Sequence, residues 1–190
     1  MKAVIIAAGK GTRLLPMTEK IPKVMIDVGG KPILEHIIEL LKNHGIKDIV
    51  ITTHHLAGSI HDYFRDGRKF GVNIIYTVEK ELVGTAGGIK PLENFFDGTF
   101  VVVYGDNLTN ADITAMAKFH KQKKAAATIG VYKEMHKPES KGIIETDDEG
   151  IILSFTEKPE KPKSNLANGA VYMLEPSVFR YITDGFCDFG

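Results

Sequence analysis

The sequence has little cysteine, no tryptophan and no excess of either charge. Its one cysteine, Cys187, excludes an internal disulfide, which is typical of proteins from a reducing compartment. The 24 basic and 24 acidic residues cancel, which argues against the basic face of a nucleic-acid-binding protein. No apolar run approaches the roughly 20 residues that cross a bilayer, so no membrane contact is expected. We expect a soluble, cytoplasmic protein, and its 190 residues, 43% of them hydrophobic, predict a single domain.

Short apolar segments alternate with helical patterns along the first part of the chain. Residues 2–8 are apolar at consecutive positions, which predicts a buried strand, and Gly9 ends this run too early for a signal peptide. Further strands are predicted at 48–53, 72–78, 99–105 and 126–132, with helices at 32–45, 56–64, 86–95 and 112–123. This alternation predicts an α/β fold with a Rossmann-like, mostly parallel sheet flanked by helices.

The pattern changes after residue 132. Two strands, 142–146 and 151–156, are joined by the turn Asp147-Asp148-Glu149-Gly150, which predicts a β-hairpin. A strand at 167–174 and a short helix at 176–182 follow. The single domain, 1–190, is therefore expected to consist of a sheet part, 1–132, and a smaller hairpin part, 133–190.

A glycine-rich loop, Gly9-Lys10-Gly11-Thr12-Arg13, directly follows the first predicted strand. Ligands of open parallel sheets bind outside the carboxyl ends of the strands. Glycines there allow backbone N–H groups to approach an anion, and the Arg13 guanidinium is a planar charge suited to phosphate. The alternative is a tight turn with a solvated arginine.

Two common nucleotide-binding motifs are missing from the sequence. A dinucleotide fingerprint needs a third glycine where Leu14 stands. A P-loop needs Gly-Lys followed by Ser or Thr, and Gly30-Lys31-Pro32 does not provide it. A hydride-transfer enzyme and a P-loop kinase are both disfavoured.

Asp106 follows the apolar strand that ends at Gly105, which places a carboxylate at the sheet edge. Mg²⁺ binds one or two carboxylates together with phosphate oxygens and water. The alternative for Asp106 is an Asx-turn with Asn107. The histidines, including His54 and His55, show no metal-ligand spacing and are expected on the surface or in loops.

The motifs of this sequence, and the order in which they occur, resemble those of the sugar-1-phosphate nucleotidyltransferases, which are also called NDP-sugar pyrophosphorylases. The resemblance spans nearly the whole chain, and its first motif is long and specific. The matching segments are Gly9-Lys10-Gly11-Thr12-Arg13-Leu14-Leu15-Pro16-Met17-Thr18, Pro22-Lys23, Gly84-Thr85-Ala86-Gly87, Gly105-Asp106, Glu157-Lys158-Pro159 and Asn168-Gly169. The sequence is similar to both mannose-1-phosphate guanylyltransferases and glucose-1-phosphate thymidylyl- or uridylyltransferases.

The resemblance implies a fold of the nucleotide-diphospho-sugar transferase type and a reaction that joins a nucleoside triphosphate to a sugar 1-phosphate and releases pyrophosphate. It implies Mg²⁺ as cofactor and leaves a homo-oligomer open. Residues 1–132 would bind the nucleotide and residues 133–190 the sugar. The implied catalytic residues are Arg13, Lys23 and Asp106, and Asp106 is also the implied metal ligand. The implied nucleotide-binding residues are Ala8, Gly9, Gly11, Thr12, Arg13, Glu79, Gly84 and Thr85. The implied sugar-phosphate-binding residues are Gly142, Glu157, Lys158 and Asn168.

Ordinary charged positions are the alternative for several of these residues. Lys23 has Lys20 as a close neighbour, and without the resemblance it would be taken as a surface lysine. Lys158 lies in a lysine-rich segment, 158–163, that is expected to form a surface loop. The position after Pro22 is stiff, however, and can hold the Lys23 charge beside a phosphate.

Glu79 lies five positions before Gly84, where the family pattern puts the residue that reads the base. A carboxylate accepts the two adjacent N–H groups of guanine but is repelled by the carbonyls of uracil and thymine. We therefore expect GTP together with mannose 1-phosphate or a related sugar phosphate. The alternatives are UTP or dTTP with glucose 1-phosphate, a non-catalytic regulatory homologue, or a Glu79 that is merely a solvated charge.

The family pattern has a second metal-binding carboxylate in a late Asp-x-Gly-x-Pro segment. The sequence ends with Cys187-Asp188-Phe189-Gly190, which resembles the stretch just before that segment. Asp188 is not expected to replace the carboxylate. We therefore expect a domain truncated at its C-terminus.

Overall fold

The computed structural model describes residues 1–189. The strands are β1 (Lys2–Ile6), β2 (Asp27–Val28), β3 (Lys31–Pro32), β4 (Asp48–Thr53), β5 (Asn73–Val78), β6 (Phe100–Tyr104), β7 (Ala127–Lys133), β8 (Gly142–Thr146), β9 (Ile152–Glu157) and β10 (Leu166–Leu174). The α-helices are α1 (Ile33–Asn43), α2 (Ala57–Phe64), α3 (Gly84–Gly87) and α4 (Ile113–Lys123). Short 3₁₀ helices cover Thr12–Leu14, Met17–Glu19, Lys23–Met25, Arg68–Phe70, Lys90–Phe95, Pro138–Ser140 and Pro176–Tyr181. Within residues 1–189, every helix is too short or too polar to cross a bilayer.

The main sheet has the strand order β5-β4-β1-β6-β10-β8-β9, with β7 also paired to β10. Strands β5, β4, β1 and β6 are parallel, whereas β10, β7, β8 and β9 pair antiparallel. The predicted α/β fold is confirmed, with the hairpin part extending the parallel sheet. From β1 the chain runs outward to β4 and β5 and then returns to β6 on the other side of β1. This reversal opens a crevice at the carboxyl ends of β1 and β6.

Both faces of the sheet are covered, which explains the continuous apolar runs of the strands. Because side chains alternate along a strand, Ala3 and Ile5 of β1 pack with α1 and α2 on one face. Val4 packs on the other face with the two 3₁₀ segments Lys90–Phe95 and Pro176–Tyr181. The sheet is thus a rigid support for the loops at its edge.

One predicted helix is interrupted, and another is present as a short 3₁₀ helix. The segment 86–95 is not one helix: α3 ends at Gly87, and a separate 3₁₀ helix covers Lys90–Phe95. Gly88 and Pro91 are poor residues for a helix interior, which accounts for the break. The predicted helix at 176–182 is a 3₁₀ helix with Pro176 in its first turn.

The predicted hairpin between β8 and β9 is confirmed. The Asp147 carboxylate closes its turn by accepting the backbone N–H groups of Glu149 and Ile151 at 3.0 and 2.8 Å. Asx-type bonds of this kind explain why acidic residues are favoured in such turns.

One histidine is not on the surface, contrary to expectation. His120 is 2% exposed near the end of α4, where its Nδ1 lies 2.8 Å from the Thr128 hydroxyl and its Nε2 lies 3.1 Å from the Glu175 carboxylate. Both ring nitrogens therefore have partners, so the side chain can be buried without leaving a polar atom unpaired. Its role is to join α4 to β7 and to the end of β10.

Candidate active site

A cavity of about 600 Å³ opens at the carboxyl ends of the parallel strands. Loops that follow β1, β5 and β6 form its walls. The lining residues are Ile6, Ala7, Ala8, Gly9, Gly11, Thr12, Arg13, Leu14, Lys23, Val24, Glu79, Leu82, Gly84, Thr85, Tyr104, Asp106, Phe186 and Asp188. The predicted catalytic and nucleotide-binding residues therefore lie around one cavity, although they are far apart in sequence.

The glycine-rich loop turns sharply at Gly11 and is held there by a threonine. Gly11 has φ of 65°, and a Cβ on it would lie 2.9 Å from the Thr18 methyl group, so both conformation and space favour glycine. The buried Thr18 hydroxyl donates to the Gly11 carbonyl at 2.9 Å. The turn lets Arg13, which is exposed, reach the cavity.

Lys23 and Asp106 form an ion pair in the cavity. The Lys23 Nζ atom lies 2.6 Å from the Asp106 Oδ2 atom, and the two side chains are 35% and 36% exposed. Gly105, the residue before Asp106, packs closely on β1, because a Cβ on it would lie 2.9 Å from the Ile5 side chain. Asp106 is thus an ion-paired carboxylate, and Lys23 is distinguished from the exposed Lys20.

Glu79 lines the cavity but is not a solvated charge. Burial raises the pKa of its carboxyl group, while the nearby backbone of Val83 lowers it in part. Its Oε1 atom packs so closely on Gly88 that a Cβ there would lie 2.6 Å away. The Glu79 side chain thus packs against the segment that follows β5.

The four predicted sugar-phosphate residues lie beside this cavity rather than in its lining. Gly142 pairs with Glu157 across the hairpin, and a Cβ on Gly142 would lie 2.9 Å from the Glu157 carboxylate. Lys158 is exposed and contacts Glu157 at 3.1 Å. Asn168 lies where the pairing of β10 with β7 is irregular, and its side chain accepts the N–H of Ala170 at 2.9 Å.

Two tyrosines connect the cavity to the sugar-side residues, and sequence reasoning missed both. Tyr104 lines the cavity, and its hydroxyl accepts from Tyr172 at a long 3.4 Å; the Tyr172 hydroxyl in turn accepts from the Asn168 amide at 2.6 Å. Burial raises the pKa of both phenols, and the charge of Glu157 adds to each rise. The signal for Tyr104 was its position just before Gly105-Asp106 at a strand end.

The charges around the cavity are suited to a divalent cation. Among residues 1–189, Arg13 and Lys23 line it against the acidic Glu79, Asp106 and Asp188. Two cations cannot balance these three carboxylates, and still less the triphosphate that the sequence led us to expect. Asp106 with phosphate oxygens is a donor set that Mg²⁺ accepts. In the described part of the chain, no three acidic, histidine or cysteine side chains are placed so that they could hold a metal ion together, so substrate oxygens would have to complete such a site.

The chain is similar to known proteins over nearly its whole length. A family model described as nucleotidyl transferase matches residues 2–187. A UTP–glucose-1-phosphate uridylyltransferase from Synechocystis sp. is 45% identical, over 97% of this chain and 52% of that protein. A mannose-1-phosphate guanylyltransferase from Mycobacterium tuberculosis is 32% identical, over 96% of this chain and 51% of that protein. The chain spans about half the length of these relatives.

A solved structure shares the fold. The crystal structure of a Bacillus anthracis protein assigned as a glucose-1-phosphate thymidylyltransferase, in complex with sucrose, superposes with a TM-score of 0.89 and 31% identity. The match covers 95% of this chain and 74% of that protein.

The raised pKa of Glu79 predicts a pH-dependent effect on stability. Above the pKa that the Glu79 carboxyl has in the folded protein, the ionised group lowers the free energy of unfolding. This loss of stability disappears as the pH falls below the pKa that the same carboxyl has in the unfolded chain. Glu79→Gln should therefore be more stable than the parent at neutral pH, by less than about 1 kcal/mol because the side chain is only half-buried. The difference should shrink toward about pH 4 in urea unfolding. Glu81→Gln, at an exposed neighbour, is the control. A Glu79→Gln variant less stable than the parent at neutral pH would contradict the prediction.

Proposed function

The chain belongs to the nucleotidyl transferase family, and from this premise we propose that it transfers a nucleotidyl group from a nucleoside triphosphate to a sugar 1-phosphate. The observation that carries the proposal is the cavity itself, where the glycine-rich loop, Arg13 and the Lys23–Asp106 pair converge. We propose UTP and glucose 1-phosphate as the substrates.

In the proposed reaction an oxygen of the sugar phosphate attacks the α-phosphorus of the triphosphate. A new phosphorus–oxygen bond forms, the bond from the α-phosphorus to the bridging oxygen breaks, and pyrophosphate leaves with the bonding electrons. Both reactants are anions, so the protein mainly has to hold them close and neutralise charge. No side-chain nucleophile is needed.

Each charged residue then has a distinct part. Arg13, at the end of the glycine-rich loop, would neutralise the β- and γ-phosphates and the departing pyrophosphate. Lys23 would move from Asp106 toward the α-phosphate when the nucleotide binds. Asp106 would hold Mg²⁺ together with the phosphate oxygens, and the metal would supply the positive charge that the lining side chains lack.

The sugar side of the site would be formed by the hairpin part. Glu157 would accept sugar hydroxyls, Lys158 would contact the sugar phosphate, and Gly142 and Asn168 would shape the pocket. Glu157 lies close enough to Tyr104 and Tyr172 for its charge to raise the pKa of both phenols, which supports a sugar subsite adjoining the nucleotide cavity.

The comparisons support uridine and glucose better than the guanosine and mannose expected from Glu79. Identity to the Synechocystis uridylyltransferase is 45%, against 32% to the Mycobacterium tuberculosis guanylyltransferase. The geometry of Glu79 points the same way, because its side chain is half-buried and its carboxylate packs on Gly88. A carboxylate engaged in this way is a poor acceptor for the paired donors of guanine.

The substrate proposal predicts the outcome of an assay of pyrophosphate release. UTP with glucose 1-phosphate should give the highest kcat/KM among UTP, dTTP, GTP and ATP, each tested with glucose 1-phosphate and mannose 1-phosphate. Glu79→Gln should keep the same order of nucleotides, because glutamine has the same size and can pack on Gly88 in the same way. A parent preference for GTP that is lost in Glu79→Gln would restore the guanine hypothesis. Tight nucleotide binding without pyrophosphate release from any pair would indicate a regulatory homologue.

Charge neutralisation predicts a contrast between two neighbouring lysines. Lys23→Ala should lower kcat/KM on the order of 10²-fold, as expected when one preorganised charge is removed. Lys20→Ala, at an exposed position outside the cavity lining, should change kcat/KM by less than about twofold.

A separate prediction concerns the metal: Asp106→Asn should raise the Mg²⁺ concentration needed for half-maximal rate. Equal losses from Lys20→Ala and Lys23→Ala, or normal turnover of Asp106→Asn at limiting Mg²⁺, would argue against this assignment.

A further inference from the structure

Residues 185–189, here called the docking segment, lie across the turn Gly84–Gly87. The Asp188 carboxylate accepts the Thr85 backbone N–H at 2.7 Å. The Cys187 carbonyl accepts the N–H groups of Ala86 and Gly87 at 2.9 and 2.8 Å, and the Cys187 N–H donates to the Val83 carbonyl at 2.8 Å. The N–H groups at the start of α3, which could otherwise serve a ligand, are thus bonded to the chain itself.

The Thr85 side chain strengthens this contact in both hydrogen-bonding directions. Its hydroxyl donates to the same Asp188 oxygen at 3.0 Å and accepts the N–H of Phe189 at 3.0 Å. Only a residue with a hydroxyl on Cβ can do both from this position. Thr85 therefore faces the docking segment.

Two glycines of the motif are explained by the same contact. A Cβ on Gly84 would lie 2.5 Å from the Cys187 carbonyl oxygen, and a Cβ on Gly87 would lie 2.7 Å from the Gly185 carbonyl oxygen. Both clashes are with backbone atoms, so the segment could not stay in place if either glycine were substituted. Gly84 also has φ of +82°, which favours glycine independently.

The docking segment forms one wall of the cavity as well. Phe186 and Asp188 are in its lining, and Asp188 bonds to Thr85 of the turn beside which the nucleotide base is expected. The Phe189 ring stacks on Tyr172 with centroids 4.6 Å apart, which anchors the end of the segment to β10. A shift of the segment would therefore change the shape of the base end of the cavity.

We propose that residues 185–189 hold the Gly84–Gly87 turn in its nucleotide-binding position, and that Thr85 and Asp188 are positioning residues for the nucleotide. The proposal rests on the proposed function, since it assigns the base end of that site. The backbone N–H and the hydroxyl of Thr85 donate to Asp188, and the hydroxyl accepts from Phe189. Thr85 thus acts on the nucleotide indirectly, through the turn and the cavity wall.

Amide hydrogen exchange in the ligand-free protein tests the contact without any activity. The amides of Thr85, Ala86 and Gly87 should exchange slowly in the parent and about tenfold faster in Thr85→Val and Asp188→Ala, which remove charged or hydroxyl partners. Thr85→Ser keeps the hydroxyl and should behave like the parent. Asp184→Ala removes an exposed carboxylate just before the segment and is the matched control. Parent amides that exchange as fast as exposed loops would overturn the proposal, as would variants that leave their rates unchanged.

Steady-state kinetics then tests the effect on the nucleotide. Thr85→Val and Asp188→Ala should raise the KM for the nucleotide about tenfold, with kcat and the KM for the sugar 1-phosphate changed by less than about twofold, and Thr85→Ser should restore the parent value. Urea unfolding verifies that each variant is folded. Equal rises in both KM values, or a fall in kcat alone, would overturn the positioning role. A parent without pyrophosphate release would count against the proposed function, and the exchange rates would then decide the docking contact by themselves.

Discussion

The candidate site depends on the parallel pairing of β1 with β6. Their backbone ladder joins Lys2–Ile6 to Phe100–Tyr104 in register, so the loops that leave the two strands start side by side. The glycine-rich loop follows one strand and Asp106 follows the other. Gly105 lets the segment after β6 lie close to β1, because a glycine has no side chain that would collide with Ile5. Arg13 and Asp106 are more than ninety positions apart in the sequence. The pairing of β1 with β6 is what brings the segments that carry them to the same cavity.

The electrostatics of the cavity follow from that placement. Lys23 is held against Asp106, and the remaining acidic lining residues have neighbours of their own. Glu79 packs on Gly88, and Asp188 accepts from Thr85. Such a cavity is preorganised rather than strongly cationic. A polyanionic substrate is therefore best accommodated together with a divalent cation, which is consistent with the proposed chemistry.

The glycines of the chain illustrate how one residue type serves different purposes. Gly11 provides a left-handed turn that Thr18 clamps, and Gly105 allows two strands to meet. Gly84 and Gly87 make space for the backbone of residues 185–189. All four belong to family motifs, yet their neighbours in the structure are parts of the chain. Their immediate physical role is to shape the walls of the cavity.

The sequence by itself determined the fold class, the order of most strands and helices, and the position of the glycine-rich loop and Asp106. These features depend on local patterns: consecutive apolar residues in strands covered on both faces, and polar or glycine residues where strands end. Only the tertiary structure decided that Lys23 rather than Lys20 meets Asp106, that Glu79 packs on Gly88, and that His120 is buried between Thr128 and Glu175. It also decided that Thr85 is held by Asp188, a contact across 103 positions of sequence. Such contacts depend on which strand ends and loops become neighbours, and nothing in the periodicity of a single segment carries that information.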